Sequence, residues 1–180
     1  EHVATRVVHA VDPGADRQRL EHGADRRRQG GHVGRPGTLI VDIPAAGEAL
    51  AETANKVNGT AFPLDVSAPD AGSKLAEHAL ERHGGIDIIV NNAGIISVGP
   101  FVEEPDAVTR RVLEVNAYGV MLGSKLALAR MRNRGSGHII NIASLSGVIP
   151  LPGQVVYVGA KYAVVGLSTA LADEMAPHGV

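Results

Sequence analysis

Residues 138–161 read H-I-I-N-I-A-S-L-S-G-V-I-P-L-P-G-Q-V-V-Y-V-G-A-K. The short apolar run from Ile139 to Ala143, bounded by Gly137 and Ser144, has the pattern of a fully buried strand that ends at a serine. A loop marked by proline and glycine follows from Gly147 to Gly153, and then a helix that carries Tyr157 and Lys161. The two side chains are one helical turn apart, so phenol and ammonium project from the same face. A serine at a strand end, a helical tyrosine and a lysine one turn further on can together form a proton-transfer site.

Working outward, the rest of the chain from Thr38 alternates in the same way. Thr38 to Ile43 reads as a buried strand, Pro44 to Val57 as a helix stopped by Asn58-Gly59, and Thr60 to Val66 as another strand. Ser67 is the expected N-cap of a helix with apolar residues at Leu75, Ala79 and Leu80, which ends at Gly84-Gly85. Ile86 to Val90 forms the next strand and leads into Asn91-Asn92-Ala93-Gly94. A long helix is predicted over 105–132 with Pro105 at its first position, and the last helix over 154–176. Strands alternating with helices imply right-handed crossovers and a mostly parallel sheet covered on both faces.

Residues 1–37 differ. Val7 to Val11 could make one strand, but from Asp12 to Gly37 the clearly apolar side chains are Ala15, Leu20, Ala24 and Val33. Six arginines are scattered among them (Arg17, Arg19, Arg26, Arg27, Arg28 and Arg35), which gives no helix a buried stripe. We therefore divide the chain into an atypical segment, 1–37, and one α/β domain, 38–180. A net charge of −2 offers no footprint for nucleic acid or an anionic membrane. Cysteine is absent, which excludes disulfides and a thiolate nucleophile. No apolar run is expected to reach the length of a membrane span, and a cytoplasmic location is the default expectation.

Several polar residues fall where chemistry is done in such folds. Asp42 lies near the end of its strand, where an acid can accept from both hydroxyls of an adenosine ribose and would repel a 2′-phosphate; an acid in a first helical turn is the ordinary alternative. Asp65, at a similar strand end, serves either a loop or an adenine ring. Asn91, Ala93 and Gly94 either admit a flat ligand close to the backbone or form a plain polar turn. Asn116 sits inside the long helix beside Val115 and Val120, where a buried amide holds a water or a neighbouring backbone group. Tyrosine is a poor acid–base group at neutral pH unless a nearby cation favours its phenolate, which Lys161 could do for Tyr157 while Ser144 binds a carbonyl oxygen. A core tyrosine with a surface lysine is the alternative. The histidines have no metal-like spacing.

Taken together, N-N-A-G at 91–94, Asn116, Ser144 and Tyr157-x-x-x-Lys161 resemble the short-chain dehydrogenase/reductase family in its single-domain form. The resemblance implies a Rossmann-type, doubly wound parallel sheet in three layers, and interconversion of an alcohol and a carbonyl with a nicotinamide cofactor. Tyr157 would be the acid–base group. Lys161 would bind the nicotinamide ribose and favour the phenolate, Ser144 would orient the carbonyl, and Asn116 would hold a water in the proton relay. Asn91, Ala93 and Gly94 would line the cofactor crevice, with Asp65 and Val66 near the adenine and Asp42 selecting NAD over NADP. A small alcohol or ketone is the implied substrate, and a homodimer or homotetramer would form through helices 105–132 and 154–176. Residues 42–95 look most like bacterial 3-oxoacyl-acyl-carrier-protein reductases. A sugar epimerase of the extended type shares Y-x-x-x-K, but N-N-A-G counts against it. The other reading from a different class is an inactive remnant that at most folds or dimerises.

The family opens with a strand and T-G-x-x-x-G-x-G, whose backbone receives the pyrophosphate at a helix N-terminus. Counting back from Asp42, this chain has Arg17, Glu21 and Gly23 at those positions. By the same resemblance, a further strand and a substrate-closing loop would follow Val180. The abrupt change of character leads us to expect that residues up to about 37 are an out-of-frame translation, with the reading frame resuming near Thr38. Reading the encoding DNA in the other two frames checks this. One of them should encode a strand followed by a glycine-rich turn, and the idea fails if neither does.

Overall fold

The computed structural model describes residues 6–10, as a backbone strand, and 37–180. Among the described residues five strands form one sheet: β1 (Arg6–Ala10), β2 (Gly37–Asp42), β3 (Thr60–Pro63), β4 (Ile88–Asn91) and β5 (His138–Asn141). The helices are α1 (Gly47–Lys56), α2 (Ala71–His83), α3 (Asp106–Leu113), α4 (Gly119–Arg134) and α5 (Val155–Met175). The strand order is β3-β2-β1-β4-β5, which is the order of a doubly wound sheet. β2 shows why it forms the centre. Alternate side chains of a strand face opposite ways, so Leu39 and Val41 enter one core while Ile40 enters the other. On the first face they share a cluster with Leu64, Leu75 and Ala79, which also takes in Ile89, Ala127 and Met131. On the second, Ile40 packs with Leu50 and Ala54 of α1. A strand buried on both faces needs the continuous apolar run that Leu39–Val41 supplies.

One strand departs from the expected parallel arrangement. β2 pairs with β3, and β4 with β5, in parallel, but β1 is antiparallel to both β2 and β4. Arg6 is opposite Val41 and Ala10 opposite Gly37, so β1 ends beside the start of β2. A parallel crossover needs a helix with an apolar stripe to lie on the sheet, whereas an antiparallel return needs none. The sequence between the two strands has no such stripe. The assignment of 1–37 as a separate segment otherwise lies outside the described residues, except that Gly37 already belongs to β2.

Other boundaries are corrected too. α2 starts at Ala71 after Asp70, so Ser67 is not its N-cap. Pro105 is extended and precedes α3 instead of opening it. The long helix is interrupted by a π turn at Glu114–Tyr118. Leu80 is half-exposed, and α2 buries Leu75, Ala76 and Ala79 instead. β5 was expected to be fully buried, yet Ile140 is 46% exposed, because the strand lies at the sheet edge. α5 with its terminal turn, Val155–His178, contains an 18-residue window of mean hydropathy 1.5, so an apolar run of membrane-spanning length does exist by length and composition alone, contrary to expectation. Its face bearing Val156, Ala160, Lys161 and Val164 is buried within the fold.

Leu75 is fully buried at the centre of the larger cluster. Leu75→Ala is expected to lower unfolding free energy by about 2–5 kcal/mol, through lost transfer energy and the cavity left behind. Ile140→Ala at the exposed edge should cost far less; chemical denaturation of the two variants checks the contrast.

Candidate active site and nucleotide crevice

The strand ends of β2, β3 and β4 open on one edge of the sheet, and a cavity of about 210 Å³ lies there. It is walled by Val41, Asp42 and Ile43 from β2 and its exit, by Leu64, Asp65 and Val66 after β3, by Ala93 and Ile95 after β4, and by Arg111 and Val115 from the long helix. Asp42 is buried and its Oδ1 accepts from the Ile43 amide at 2.7 Å. Asp65 Oδ1 accepts from Ser67 N at 3.0 Å and from Ser67 Oγ at 2.7 Å. Its Oδ2 pairs with Arg111 Nη2 at 2.8 Å. Burial pushes the Asp65 carboxyl up, but the hydrogen bonds from Ser67 and the Arg111 guanidinium outweigh it and hold the group below the ordinary carboxylate range.

The segment after β4 joins this cavity to the serine–tyrosine–lysine group. Asn116 is fully buried in the π turn, with Oδ1 accepting from Ile95 N at 2.8 Å and Nδ2 donating to Ile95 O at 2.7 Å. A Cβ on Gly94 would lie 3.3 Å from Asn116 Oδ1, a tight approach, and 3.8 Å from Lys161 Nζ, an ordinary contact, so the backbone at Gly94 runs close to both groups. The π turn is closed by Gly119 N on Glu114 O, and Gly119 in turn rests against Val66. Such one-turn bulges re-aim a helix at functional sites.

Lys161 is 4% exposed, donates from Nζ to Ile142 O at 2.8 Å, and lies 5.7 Å from the Tyr157 ring centroid. Burial holds its ammonium below the usual lysine range. Tyr157 is half-buried on the same face. Ser144 has extended backbone and caps the turn Leu145–Gly147, its Oγ accepting from Ser146 N at 3.1 Å. That turn lies directly on α5: a Cβ on Gly147 would stand 2.9 Å from the Lys161 carbonyl oxygen. Glycine there lets the loop bearing Ser144 approach the helix bearing Tyr157 and Lys161.

The predicted residues therefore divide into groups. Asn116, Lys161 and Gly94 meet at one point, and Tyr157 shares the Lys161 face. Asp42, Asp65, Val66 and Ala93 border the cavity. Asn91 does not border it: it is 1% exposed, and its Nδ2 donates to Asn141 Oδ1 at 2.8 Å and to Ser124 Oγ at 3.2 Å, tying β4 to β5 and α4. Sequence reasoning missed Arg111 and Ile95. Arg111 is one of two adjacent arginines on an exposed-looking turn, and its partner is 46 residues away, so no local pattern exposes it.

Comparison with known proteins agrees with this architecture. The family model for short chain dehydrogenases matches residues 36–180. The chain belongs to the short-chain dehydrogenase family. It is 34% identical over 136 residues to 3-alpha-(or 20-beta)-hydroxysteroid dehydrogenase of Mycobacterium tuberculosis, covering 76% of this chain and 50% of that one. It is 38% identical over 140 residues to 3beta-hydroxysteroid dehydrogenase 2 of Eggerthella lenta, covering 77% and 53%. The crystal structure of a short-chain dehydrogenase from Streptomyces avermitilis superimposes with a TM-score of 0.71 at 34% identity, over 77% of this chain and 53% of that one. The chain thus spans about half the length of these relatives.

The Asp65 carboxyl has a lowered value in the fold, so its stabilising contribution is present above the unfolded value of about 3.9 and is lost as pH falls through the folded value. Asp65→Asn should accordingly reduce the melting temperature at neutral pH, with the gap to the parent narrowing below about pH 4. Because the Asp65 and Arg111 side chains are about one-third exposed, the effect will be modest and will shrink in high salt. Melting curves of both proteins across pH check the convergence.

Proposed function

We propose that this chain carries the active half of a nicotinamide-dependent oxidoreductase that interconverts an alcohol and a carbonyl. The observation that carries the reading is the buried Lys161 ammonium, set against the Tyr157 ring on one side and the Gly94–Asn116 junction on the other. With the Lys161 ammonium 5.7 Å from its ring centroid, Tyr157 is the group whose Oη takes the proton of an alcohol or returns it to a carbonyl oxygen. Ser144 Oγ already accepts from Ser146 N, which leaves its hydroxyl proton to donate to the substrate oxygen. Asn116 fixes the Ile95 backbone and with it the segment that forms the floor between cavity and site. A bound nicotinamide supplies the hydride acceptor in oxidation and the donor in reduction.

The donor set fits the two ends of such a cofactor. Asp42 suits a ribose diol and disfavours a 2′-phosphate, which favours NAD over NADP. Val66, Ala93 and the Asp65 carboxylate suit an adenine face and its amino group. Lys161 and Tyr157 suit the nicotinamide ribose. The pyrophosphate is the open part: β1 runs opposite to its neighbours, so its carboxyl end at Ala10 lies beside Gly37, at the opposite end of β2 from Asp42. The hydroxysteroid names of two relatives, with the exposed Leu145, Val148 and Ile149 beside Ser144, support an apolar alcohol or ketone as substrate. Exposed Leu113, Tyr118 and Met121 on the long helix, and exposed Gly159 and Gly166 on α5, support pairing with a second copy through these helices.

Titrating the 180-residue chain with NADH by fluorescence tests the reading. Micromolar binding is expected, with NADPH at least about tenfold weaker, as a repelled phosphate requires. Tyr157→Phe should retain that binding and abolish turnover. No detectable NADH binding would overturn the cofactor reading for this chain, and undiminished turnover in Tyr157→Phe would overturn the assigned proton transfer.

A further inference from the structure

Arg111 stands in the wall of the cavity and takes no part in the proton transfer. Its Nη2 donates to Asp65 Oδ2 at 2.8 Å while its Nη1 donates to Ser67 Oγ. Ser67 in turn donates from Oγ and from its backbone N–H to Asp65 Oδ1. The Asp65 carboxylate is therefore held at both oxygens, by the loop after β3 on one side and by α3 on the other. A carboxylate oxygen offers about two acceptor sites. Among the described residues Oδ2 accepts from Arg111, which leaves it one acceptor site, and Asp65 is part of the cavity wall. The terminal torsion of an aspartate is broad, and Ser67 alone fixes only Oδ1. Arg111 is what fixes Oδ2.

We propose that Arg111 is the positioning residue for base recognition: it presents Asp65 Oδ2 as an acceptor for the exocyclic amino group of a 6-aminopurine, so that the crevice selects an adenine dinucleotide over its 6-oxo counterpart. The proposal rests on the reading of this crevice as a nicotinamide dinucleotide site. A 6-oxopurine sets a carbonyl oxygen against the carboxylate, an acceptor facing an acceptor, where adenine sets an N–H. Arg111 does not touch the base. It acts through Asp65, and its planar fork reaches Asp65 and Ser67 together, which a lysine ammonium cannot reproduce.

The test is to titrate NADH and its hypoxanthine analogue against the parent chain, Arg111→Met and Arg111→Lys, with circular dichroism on each. The parent should bind NADH about tenfold or more tightly than the analogue, the scale of one hydrogen bond to a charged group. Arg111→Met should bring the two affinities within about threefold, and Arg111→Lys should fall between. A merely structural arginine would weaken both ligands equally and leave the ratio intact, and that result in Arg111→Met overturns the proposal. If Arg111→Met does not fold, a parental ratio in Arg111→Lys overturns it. Equal binding of both ligands by the parent also overturns it while the cofactor reading stands. Failure of the parent to bind either ligand overturns the cofactor reading, and this proposal with it.

Discussion

The grip of Asn116 on Ile95 is the contact on which the rest of the site depends. One buried amide satisfies both backbone groups of a loop residue, the N–H through Oδ1 at 2.8 Å and the C=O through Nδ2 at 2.7 Å. Each such bond adds about 1 kcal/mol net, but breaking either leaves buried polar atoms unpaired at about 1–3 kcal/mol apiece. The clamp is therefore worth more in what it forbids than in what it adds. It fixes the Ile95 backbone in a segment, 93–95, that borders the cavity on one side and Lys161 on the other. The π turn aims Asn116 at that loop, and Gly119 lets the bulged helix rest against Val66 on the opposite wall.

How much of this was legible in the sequence follows from the range of each interaction. β2 could be read because a strand buried on both faces must be apolar throughout, and Leu39, Ile40 and Val41 leave no other use for themselves. Tyr157 and Lys161 could be placed together because four residues along a helix is one turn. β5 misled because an apolar strand at a sheet edge looks the same in sequence as one in the middle; only the sheet order reveals that Ile140 faces outward. Ser67 misled because a serine before a helix is the ordinary cap, while here Asp65 and Arg111 recruit it instead. Asn91 was read as a crevice residue and is instead consumed by Asn141 and Ser124, partners that no local pattern shows.

The reversed β1 has a similar origin, and a larger consequence. Its backbone fills the slot between β2 and β4 and satisfies their facing edges, so the sheet is continuous with β1 in either direction. Hydrogen bonding alone does not select the direction. A parallel arrangement would need a connection to β2 that crosses the sheet under cover of an amphipathic helix. A sequence with six arginines and four scattered apolar residues cannot cover a sheet face.

The charges along the crevice show why that direction bears on activity. Two carboxylates, Asp42 and Asp65, line the cavity, and among the described residues that line it the cation is Arg111, which is already engaged with Asp65. The other cation, Lys161, lies at the tyrosine end and is held by the Ile142 carbonyl. On the proposed reading, a dinucleotide would meet this asymmetry with neutral donors and acceptors at its two ends. Its pyrophosphate does not, since an anion between two carboxylates requires backbone N–H groups at a helix N-terminus to offset the repulsion. In a doubly wound sheet those groups follow the central strand at its carboxyl end. With β1 antiparallel, that end lies beside Gly37 and not beside Asp42. On the proposed reading, the tyrosine–lysine group and the Asp42–Asp65 cavity are built independently of any seat for the phosphates, and affinity for the dinucleotide is the quantity that would join them.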